Sequence, residues 1–387
     1  MALLSRSRLL QTKLESSYGS SSSPAGTDAC LVRNLEISPI EAETVSRDVI
    51  RAYLGNSDQL LANTRVGITF EVELAGSGSA GTASRIDSLL RACGMSPTTT
   101  GSAITGSAQA GSAGSITLAS GASAVDDYYN GMVVSITSGT GNNHSGLIVD
   151  YNGTSKVCTV KPDSATFVPG SGSGYSIAAN VKYLPVSSSF ESTTIYVNVS
   201  GVRHVCTGCR GSFSVNLAIG EIPTINFTMT GIYNAPTDVA LPSTTYSNQA
   251  TPVLFKAGNT TATSFLDYDS AAIQSISVDM SNEVVSRELV GTDKSVILTN
   301  RSPSGEAVLE APTMAQKDFF SIANSDTTGK ISFLHGGTAG NRIGCLMPVC
   351  DIGNPSYSES DGIVMLNLPF IPTPSATGND EIALTFQ

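Results

Sequence analysis

The sequence contains no tryptophan and few charged residues. Asp, Glu, Lys and Arg together make up 14% of its 387 residues, against about 25% in an average globular protein. A helix-rich enzyme would carry more Glu, Lys, Arg and Leu. Glycine is frequent instead, with 37 residues, and serine and threonine are abundant. This composition is typical of many short strands joined by polar turns.

Clusters of lysine and arginine are absent as well. The formal net charge is −11 at pH 7, and the isoelectric point is about 4.7. Proteins that hold nucleic acid need such clusters to contact phosphates, so the composition argues against that class. The same acidic balance suits a surface that has to avoid sticking to DNA, because like charges repel the polyanion.

The sequence also lacks long apolar runs. No run reaches the roughly 18 apolar residues that a membrane span needs. The first residues, MALLSRSRLLQTKLESS, are interrupted by Arg6, Arg8 and Lys13, so they lack the apolar segment of a signal peptide. The seven cysteines are odd in number and irregularly spaced, unlike the disulfide framework of a small secreted domain. These features predict a soluble chain, made in the cytoplasm, with reduced thiols.

Changes of composition along the chain indicate four segments. Residues 1–30 are rich in serine and glycine, which predicts an extended or poorly ordered arm that could still become ordered on a partner. Residues 104–180 contain short apolar runs between Gly, Asn and Ser turns, with low-complexity stretches on both sides. This pattern predicts a small all-β module inserted into a larger domain. Residues 31–103 and 181–387 would then form the two parts of that domain.

Most strand-like segments alternate between apolar and polar residues. The segment VGITFEVEL, Val66 to Leu74, has an apolar residue at every second position and an acidic opposite side. Alternation of this kind indicates antiparallel sheets with one face in water. Inside the insert, Asn152-Gly153 predicts a hairpin with a type I′ turn.

Two segments have helical features. Ser38 and Glu41 form a capping-box pattern, and Gly55 supplies a stop signal. They predict a short helix over residues 38–55, with an ordered loop as the alternative. The segment Thr313–Asn324 also has helical character. The predicted fold class is mainly β, with one or two short helices.

Three glycines, Gly76, Gly78 and Gly81, match the G-x-G-x-x-G pattern of dinucleotide-binding enzymes. That function requires a parallel βαβ unit and an acidic residue about 20 positions further on. The sequence offers no second buried strand after the loop and no carboxylate between Asp87 and Asp126. We therefore interpret the pattern as a flexible linker that leads into a one-faced helix. An oxidoreductase is the alternative from a different class.

For the other candidate chemistry, we favour a structural explanation over a functional one. Cys206-x-x-Cys209, with a second cysteine pair downstream, could in principle hold zinc, but free cysteines mostly behave as small hydrophobes. The three histidines have no adjacent nucleophile motif. Glu71 and Glu73 share one side of a strand, which is ordinary for solvated surface. We predict no catalytic, cofactor or metal site.

Three longer stretches resemble the tail tube protein of long-tailed bacteriophages. They are ETVSRDVIRAYLGNSDQLLANTRVGITFEVELAGSGSAGTASRIDSLLRACG, SGVRHVCTGCRGSFSVNLAIGEIPTINFTMTGIYNAPTD and NEVVSRELVGTDKSVILTNRSPSGEAVLEAP. They fall within residues 41–94 and 196–312, and Arg210-Gly211 precedes Thr230-Gly231-Ile232-Tyr233 by twenty residues. The sequence departs from the family at Ser84, where proline is usual, and at Cys209, where a small residue such as alanine is usual.

The resemblance implies a structural protein without enzymatic activity. It implies two packed antiparallel sheets, one of which joins with neighbouring copies into a β-barrel around a lumen, in hexameric rings that stack into a tube. The implied partners are a tape measure protein in the lumen, tail terminator and distal tail proteins at the ends, and double-stranded DNA in passage, with no membrane. The insert would project outward. The candidate lumen-facing acidic residues are Glu71, Glu73, Asp279 and Glu283.

Two further interpretations of the sequence stay open. A tail fibre or capsid decoration protein is the alternative of the same structural kind, and it predicts trimers or monomers instead of a tube. A carbohydrate-binding role for the insert, through Tyr128 and Tyr129, is the other.

Overall fold

The structure, a computed structural model, describes residues 3–387. In that part of the chain, strands predominate and the two α-helices are short, α1 at Asp87–Ala92 and α2 at Phe319–Asn324. The first strands are β1 (Arg8–Leu14), β2 (Ala29–Cys30), β3 (Arg33–Ser46), β4 (Gln59–Glu73), β5 (Met95–Thr100), β6 (Ile104–Ser107), β7 (Ala110–Ser112), β8 (Ser115–Thr117), β9 (Val133–Ser138), β10 (Ser145–Asn152), β11 (Val157–Pro162), β12 (Gly174–Ile177), β13 (Asn180–Pro185) and β14 (Thr193–Val199). The others are β15 (Val202–Ala218), β16 (Thr224–Tyr233), β17 (Thr237–Asp238), β18 (Thr260–Phe265), β19 (Ile273–Asp279), β20 (Asn282–Arg287), β21 (Ser295–Arg301), β22 (Ser304–Glu310), β23 (Gly329–His335), β24 (Ile343–Ile352), β25 (Ser356–Ser360), β26 (Ile363–Pro372) and β27 (Ala383–Phe386). No helix among the described residues has the length and apolar character needed to span a membrane.

Eight antiparallel strands form what we call the first sheet, in the order β3-β4-β16-β15-β19-β22-β26-β25. Its strands alternate as the sequence predicts: in β4, Ile68, Phe70 and Val72 are buried, while Thr69 and Glu71 point to the opposite face. The buried face of this sheet supplies one half of the main core.

The strands in the order β5-β13-β27-β24-β23-β18, which we call the second sheet, pack against that face. A short ladder between β24 and β26 joins the second sheet to the first. Strands β14, β1 and β2 extend the assembly from the start of β15. Phe70 and Phe227 of the first sheet stack with ring centroids 5.5 Å apart, and Tyr183 and Phe386 of the second sheet meet edge to face at 5.7 Å. The prediction of two packed antiparallel sheets is confirmed.

Residues 104–177 form a sheet of their own, in the order β6-β12-β9-β10-β11-β8-β7. This module has its own apolar core, which includes Tyr151 and Phe167. It packs on the outer face of the second sheet through a small apolar cluster, Val133, Leu147 and Val149 of the module with Ala262, Leu334, Leu346 and Ala383. The module and the exposed face of the first sheet therefore lie on opposite sides of the sandwich.

Both helices lie within segments whose spacing is helical. Helix α1 follows the glycine-rich loop, and Gly94, with φ of +80°, takes the left-handed conformation just after it. Helix α2 lies inside Thr313–Asn324, and the Asp318 carboxylate accepts a hydrogen bond from the Ser321 N–H at 2.9 Å. This side-chain cap explains where α2 begins.

The helix predicted over residues 38–55 is wrong. Residues 38–46 belong to β3, and residues 47–58 form no regular element. Glu41 does not act as a capping residue, because its carboxylate accepts from Arg65 Nε at 3.1 Å across the strand pair. The β-branched residues that weakened the helical pattern suit a strand, and β4 supplies the partner that local signals cannot show.

Residues 8–14, within the segment predicted to be an arm, form β1, which pairs with β14 along its whole length. Leu10 and Thr12 of β1 are buried. Residues 1 and 2 of the arm lie outside the described residues.

The hairpin predicted at Asn152-Gly153 is confirmed, but its turn type is wrong. The loop spans residues 153–156, and its positive φ occurs at Lys156, not at Asn152 or Gly153. The Asn152 side chain accepts from the Ser155 N–H at 2.8 Å, which closes the turn through a side chain. A side chain at position 153 would collide with the backbone of Ala124, so close approach explains the glycine.

Candidate functional site

The face of the first sheet that points away from the core is lined by small polar and acidic side chains. We call it the polar face. Its residues are Thr69, Glu71 and Glu73 of β4, Thr224, Asn226 and Thr228 of β16, Ser212, Ser214 and Asn216 of β15, Ser275, Ser277 and Asp279 of β19, and Ser304 and Glu306 of β22. The register aligns them side by side, so five strands present one continuous polar surface.

The acidic residues of the polar face fall into two neighbouring rows. One row runs from Glu71 across three strand steps to Asp279. The next row runs from Glu73 across four steps to Glu306. With strands about 4.8 Å apart, the carboxylates in a row are separated by roughly 14 to 19 Å. They form a spread field of negative charge and not a paired site, and Arg33 is opposite Glu71 at the β3 edge.

Three of the four residues predicted to face a lumen share this surface, and one does not. Glu71 and Glu73 lie on β4, and Asp279 lies on β19. Glu283 lies on β20, which pairs with β21 in a separate two-stranded hairpin. Sequence reasoning missed Glu306. The signal for it is the alternation in SGEAVLE: Ala307 and Leu309 are buried, so Glu306 lies on the polar face.

The first sheet ends in two strands that each have one partner. Strand β3 pairs only with β4, and β25 pairs only with β26, within the described residues. Their outer edges leave backbone groups free for a further ladder. Because the strands alternate in direction across eight positions, β3 and β25 run in opposite directions.

Strands β3 and β4 extend beyond the rest of the sheet. The ladder between β4 and β16 ends at Arg65, whereas the ladder between β3 and β4 continues to Ser46 and Gln59. Residues 59–64 therefore project by about 20 Å at 3.3 Å per residue. We call this end of the sheet the hairpin end, and residues 47–58 the hairpin tip.

The hairpin tip exposes large apolar side chains. Ile50 and Leu54 are fully exposed, at 104% and 103% of their reference area, and Tyr53 is exposed at 69%. A cluster of this kind is unfavourable in water and marks an interaction surface.

The G-x-G-x-x-G loop packs against another loop of the same chain. A side chain at Gly76 would collide with the Gly340 carbonyl, the Gly78 N–H donates to that carbonyl at 2.9 Å, and the Gly76 N–H donates to Asn341 Oδ1 at 2.8 Å. The preceding strand β4 is antiparallel to both of its neighbours. A dinucleotide site needs a parallel βαβ unit, so this alternative is wrong.

All seven cysteines are buried and free. Burial raises the pKa of Cys206 to about 12, and the Cys209 thiol donates to the Cys206 carbonyl at 3.4 Å. Among residues 3–387, no group of three or more His, Cys, Asp and Glu side chains is arranged to hold a metal ion. These thiols act as core side chains.

Two other residues that the sequence brings to attention have structural contacts. Both ring nitrogens of His335 are engaged, Nδ1 with Thr260 Oγ1 at 2.9 Å and Nε2 with the Val253 carbonyl at 3.1 Å, and burial lowers its pKa. Tyr129 is buried in the core of the module, so of the two tyrosines considered for carbohydrate binding only Tyr128 is exposed.

Residues 5–372 match the family described as "Phage tail tube protein". No curated protein matches the chain. The matched residues include the inserted module, the hairpin end and every strand given above except β27.

Proposed function

The chain belongs to the phage tail tube protein family and is a structural component of the virion tail, and we propose that its copies close into hexameric rings that stack into the genome conduit. The observation that carries this proposal is the pair of open edges on the first sheet. In a ring, every copy has the same orientation along the axis. Strand β3 of one copy would then meet β25 of the next as an antiparallel neighbour, because these two strands run in opposite directions. Closure of the ring removes both edges.

The polar face would line the lumen of this barrel. A conduit that passes DNA quickly must not bind it, and carboxylates among small polar side chains repel phosphates. We propose Glu71, Glu73 and Asp279 as lumen residues and add Glu306 from its position in the same rows. Glu283 lies off this face and is not retained.

The inserted module would lie on the exterior of the tube. It packs on the outer face of the second sheet, across the sandwich from the polar face. If that face borders the lumen, the module points away from it.

Contacts between rings would involve the hairpin tip. The C-terminal strand β27 has both edges occupied by β13 and β24 of the same chain. The hairpin tip, by contrast, leaves its apolar side chains exposed to solvent.

The assembled tube implies the remaining partners. We propose a tape measure protein in the lumen before DNA enters, tail terminator and distal tail proteins at the two ends, and only transient, non-specific contact with double-stranded DNA. Synthesis and assembly would take place in the host cytoplasm. No membrane contact and no catalytic step is part of the proposal.

Electron microscopy of the purified chain at rising concentration tests the assembly. We expect hollow tubes with six-fold rings, whereas stable monomers or compact trimers would favour a fibre or decoration protein.

Proline variants at Tyr357 and Ser358 of β25 test the lateral contact. Successive N–H groups along a strand alternate sides, so one of the two variants removes a donor from the open edge. That variant should stay folded and form no rings.

A further inference from the structure

A cleft of about 550 Å³ opens where the inserted module meets the second sheet. We call it the seam cleft. The module supplies one wall, with residues 126–132, 149 and 150, and the second sheet supplies the other, chiefly from β13, β23, β24 and the loop of residues 375–380. A cleft of this size suits a small ligand, and ligand sites are common at such junctions between two folded units.

The floor of the seam cleft is apolar. Val149 and Leu346 line it and also belong to the small cluster that joins the module to the second sheet. Leu184, Pro348 and Val349 line it as well and are only half-buried, so apolar surface stays open to the cleft. A ligand that fills the cleft therefore has to offer an apolar surface of its own.

An aromatic ring lies at the rim of the seam cleft. Tyr128 is 40% exposed, and its ring meets that of Tyr129 edge to face, with centroids 4.9 Å apart. Tyr129 is buried and meets Tyr151 in the same way at 4.7 Å. This row of three rings holds Tyr128 in place, so a ligand can pack on it at little cost in side-chain entropy.

The two lysines of the cleft join the module to the second sheet. Lys182 of β13 is 7% exposed, and its Nζ donates to the Tyr128 carbonyl at 2.9 Å. Lys330 of β23 donates to the Val149 carbonyl at 3.2 Å. Both amines therefore hold the module wall in place, and they leave few donors for a ligand.

Charges of both signs are mixed around the cleft. Its four carboxylates are Asp126, Asp127, Asp150 and Asp380. Asp150 pairs with Lys330 at 3.2 Å. Lys156 donates to the Gly153 carbonyl at 2.6 Å, and the Gly153 N–H donates to Asp126 at 2.7 Å, so a third amine lies near the rim. This mixture does not favour a strongly charged ligand.

Asp127 keeps one carboxylate oxygen for a ligand. The residue is exposed, and its Oδ1 accepts from Asn130 Nδ2 at 2.8 Å. Its Oδ2 accepts no hydrogen bond from residues 3–387. Since Tyr128 follows directly in the chain, the cleft has a free acceptor and an aromatic ring at adjacent positions.

We propose that the seam cleft binds a saccharide, with a sugar ring on Tyr128 and a sugar hydroxyl on Asp127. A pyranose has the two properties that this lining requires, an apolar face of C–H groups and hydroxyls that donate to carboxylates and accept from amines. It is also neutral, which suits the mixed charges. The inference goes beyond the proposed function and does not depend on ring closure, because every group named belongs to one chain.

Two kinds of probe test the site in the full-length protein. One is a glycan array, and the other is ligand-observed NMR with the free sugars glucose, galactose, rhamnose and N-acetylglucosamine. We expect the wild type to bind. Binding on the array alone would assign the cleft to a polymer-bound glycan, and binding of the free sugars alone would assign it to a small soluble sugar.

Three variants locate the binding. Tyr128→Ala removes the ring, and Asp127→Asn removes the charge but suits the backbone, because φ of +61° at this position is one that asparagine accepts. Each should weaken binding about tenfold. Tyr246→Ala is the control, because Tyr246 is 46% exposed and lies outside the cleft. It should bind as the wild type does, and equal thermal unfolding of the three variants would confirm intact folding.

The contrary results are equally clear. No binding to either kind of probe would overturn the proposal, and so would binding that both cleft variants retain in full. Neither result concerns the tube, because electron micrographs of the same preparations report assembly separately. Tubes without saccharide binding would leave the proposed function in place.

Discussion

The side-chain amide of Gln387 pairs with both backbone groups of Val133. Its Nε2 donates to the Val133 carbonyl at 2.7 Å, and its Oε1 accepts from the Val133 N–H at 2.8 Å. Gln387 follows β27 of the second sheet, whereas Val133 begins β9 of the module. One side chain therefore takes the place of a neighbouring strand and ties the module to the body of the protein.

Replacing this amide should loosen the module. Gln387→Glu removes the donor and places a carboxylate against the Val133 carbonyl, so we expect a loss of about 1–3 kcal/mol. Hydrogen exchange at the Val133 amide should quicken before global unfolding. Gln316→Glu is the matched control, because only the side-chain oxygen of Gln316 is used there, accepting from Thr313. Equal exchange in both variants would contradict the assigned role of Gln387.

The ion pair between Arg301 and Glu381 should contribute far more to the stability of the fold than exposed ion pairs do. Their shortest distance is 2.7 Å, and their side chains are 14% and 8% exposed. Arg301→Met leaves a buried carboxylate without its partner, which we expect to lower the free energy of unfolding by about 3–5 kcal/mol. Arg47→Met, in a pair exposed above half on both sides, should cost under about 1 kcal/mol. The double variant Arg301→Met with Glu381→Gln should recover part of the loss in urea unfolding, and no recovery would contradict the argument.

The buried amine of Lys182 should make stability depend on pH. Burial lowers its pKa to about 8, although Asp127 acts in the opposite direction, and Nζ donates to the Tyr128 carbonyl at 2.9 Å. Between pH 8 and 10.5, the ordinary value, the unfolded chain keeps the proton that the folded chain has lost. Stability therefore rises with pH in this window, by up to about 3 kcal/mol.

The comparison with Lys182→Met isolates this effect. The thiols of the unfolded chain also titrate in alkaline solution, but they are common to both proteins. We expect the difference in unfolding free energy between wild type and variant to grow in favour of the wild type from pH 8 to 10.5. A difference that stays flat across this window would show that Lys182 does not change its pKa on folding.

The cysteine thiols should be unreactive while the protein is folded. All seven are buried, and burial raises the pKa of Cys30, Cys158 and Cys345 to about 12, so little thiolate forms near neutral pH. An aromatic disulfide reagent should react with none of them in the native protein and with all seven in guanidinium chloride. Fast native reaction of one thiol would point to a functional cysteine instead.

The sequence predicted those features that depend on periodicity within one strand. The alternation from Val66 to Leu74 reports directly which side chains are buried, so the polar face on β4 could be identified. The segment 38–55 failed because its capping signals are local, whereas the ladder with β4 that decides its structure involves a distant partner.

Glu283 lies off the polar face although it is close to Asp279 in the sequence. Strand β19 ends at Asp279, and Ser281, with φ of +46°, turns the chain away into the β20–β21 hairpin. Asp279 and Glu283 are therefore only four residues apart in the sequence but belong to different sheets. Glu306, far away in sequence, joins the row of Glu73 because the register across β16, β15, β19 and β22 brings it there, and a sequence carries no such register.

Reversal of one charge on the polar face tests whether that face borders the channel. Glu73 is opposite Thr224 and has no partner on β3, so Glu73→Arg should change the stability of the monomer by only about 0.5 kcal/mol. In assembled tubes it should create a positive ring in the lumen, and short duplex DNA should be retained, with binding that weakens steeply as salt is added. Glu283→Arg makes the same change off the polar face and should leave retention at the wild-type level. Equal retention of DNA by both variants would show that the polar face does not line the channel. Only a residue in the lumen would bring the reversed charge into repeated contact with the passing duplex.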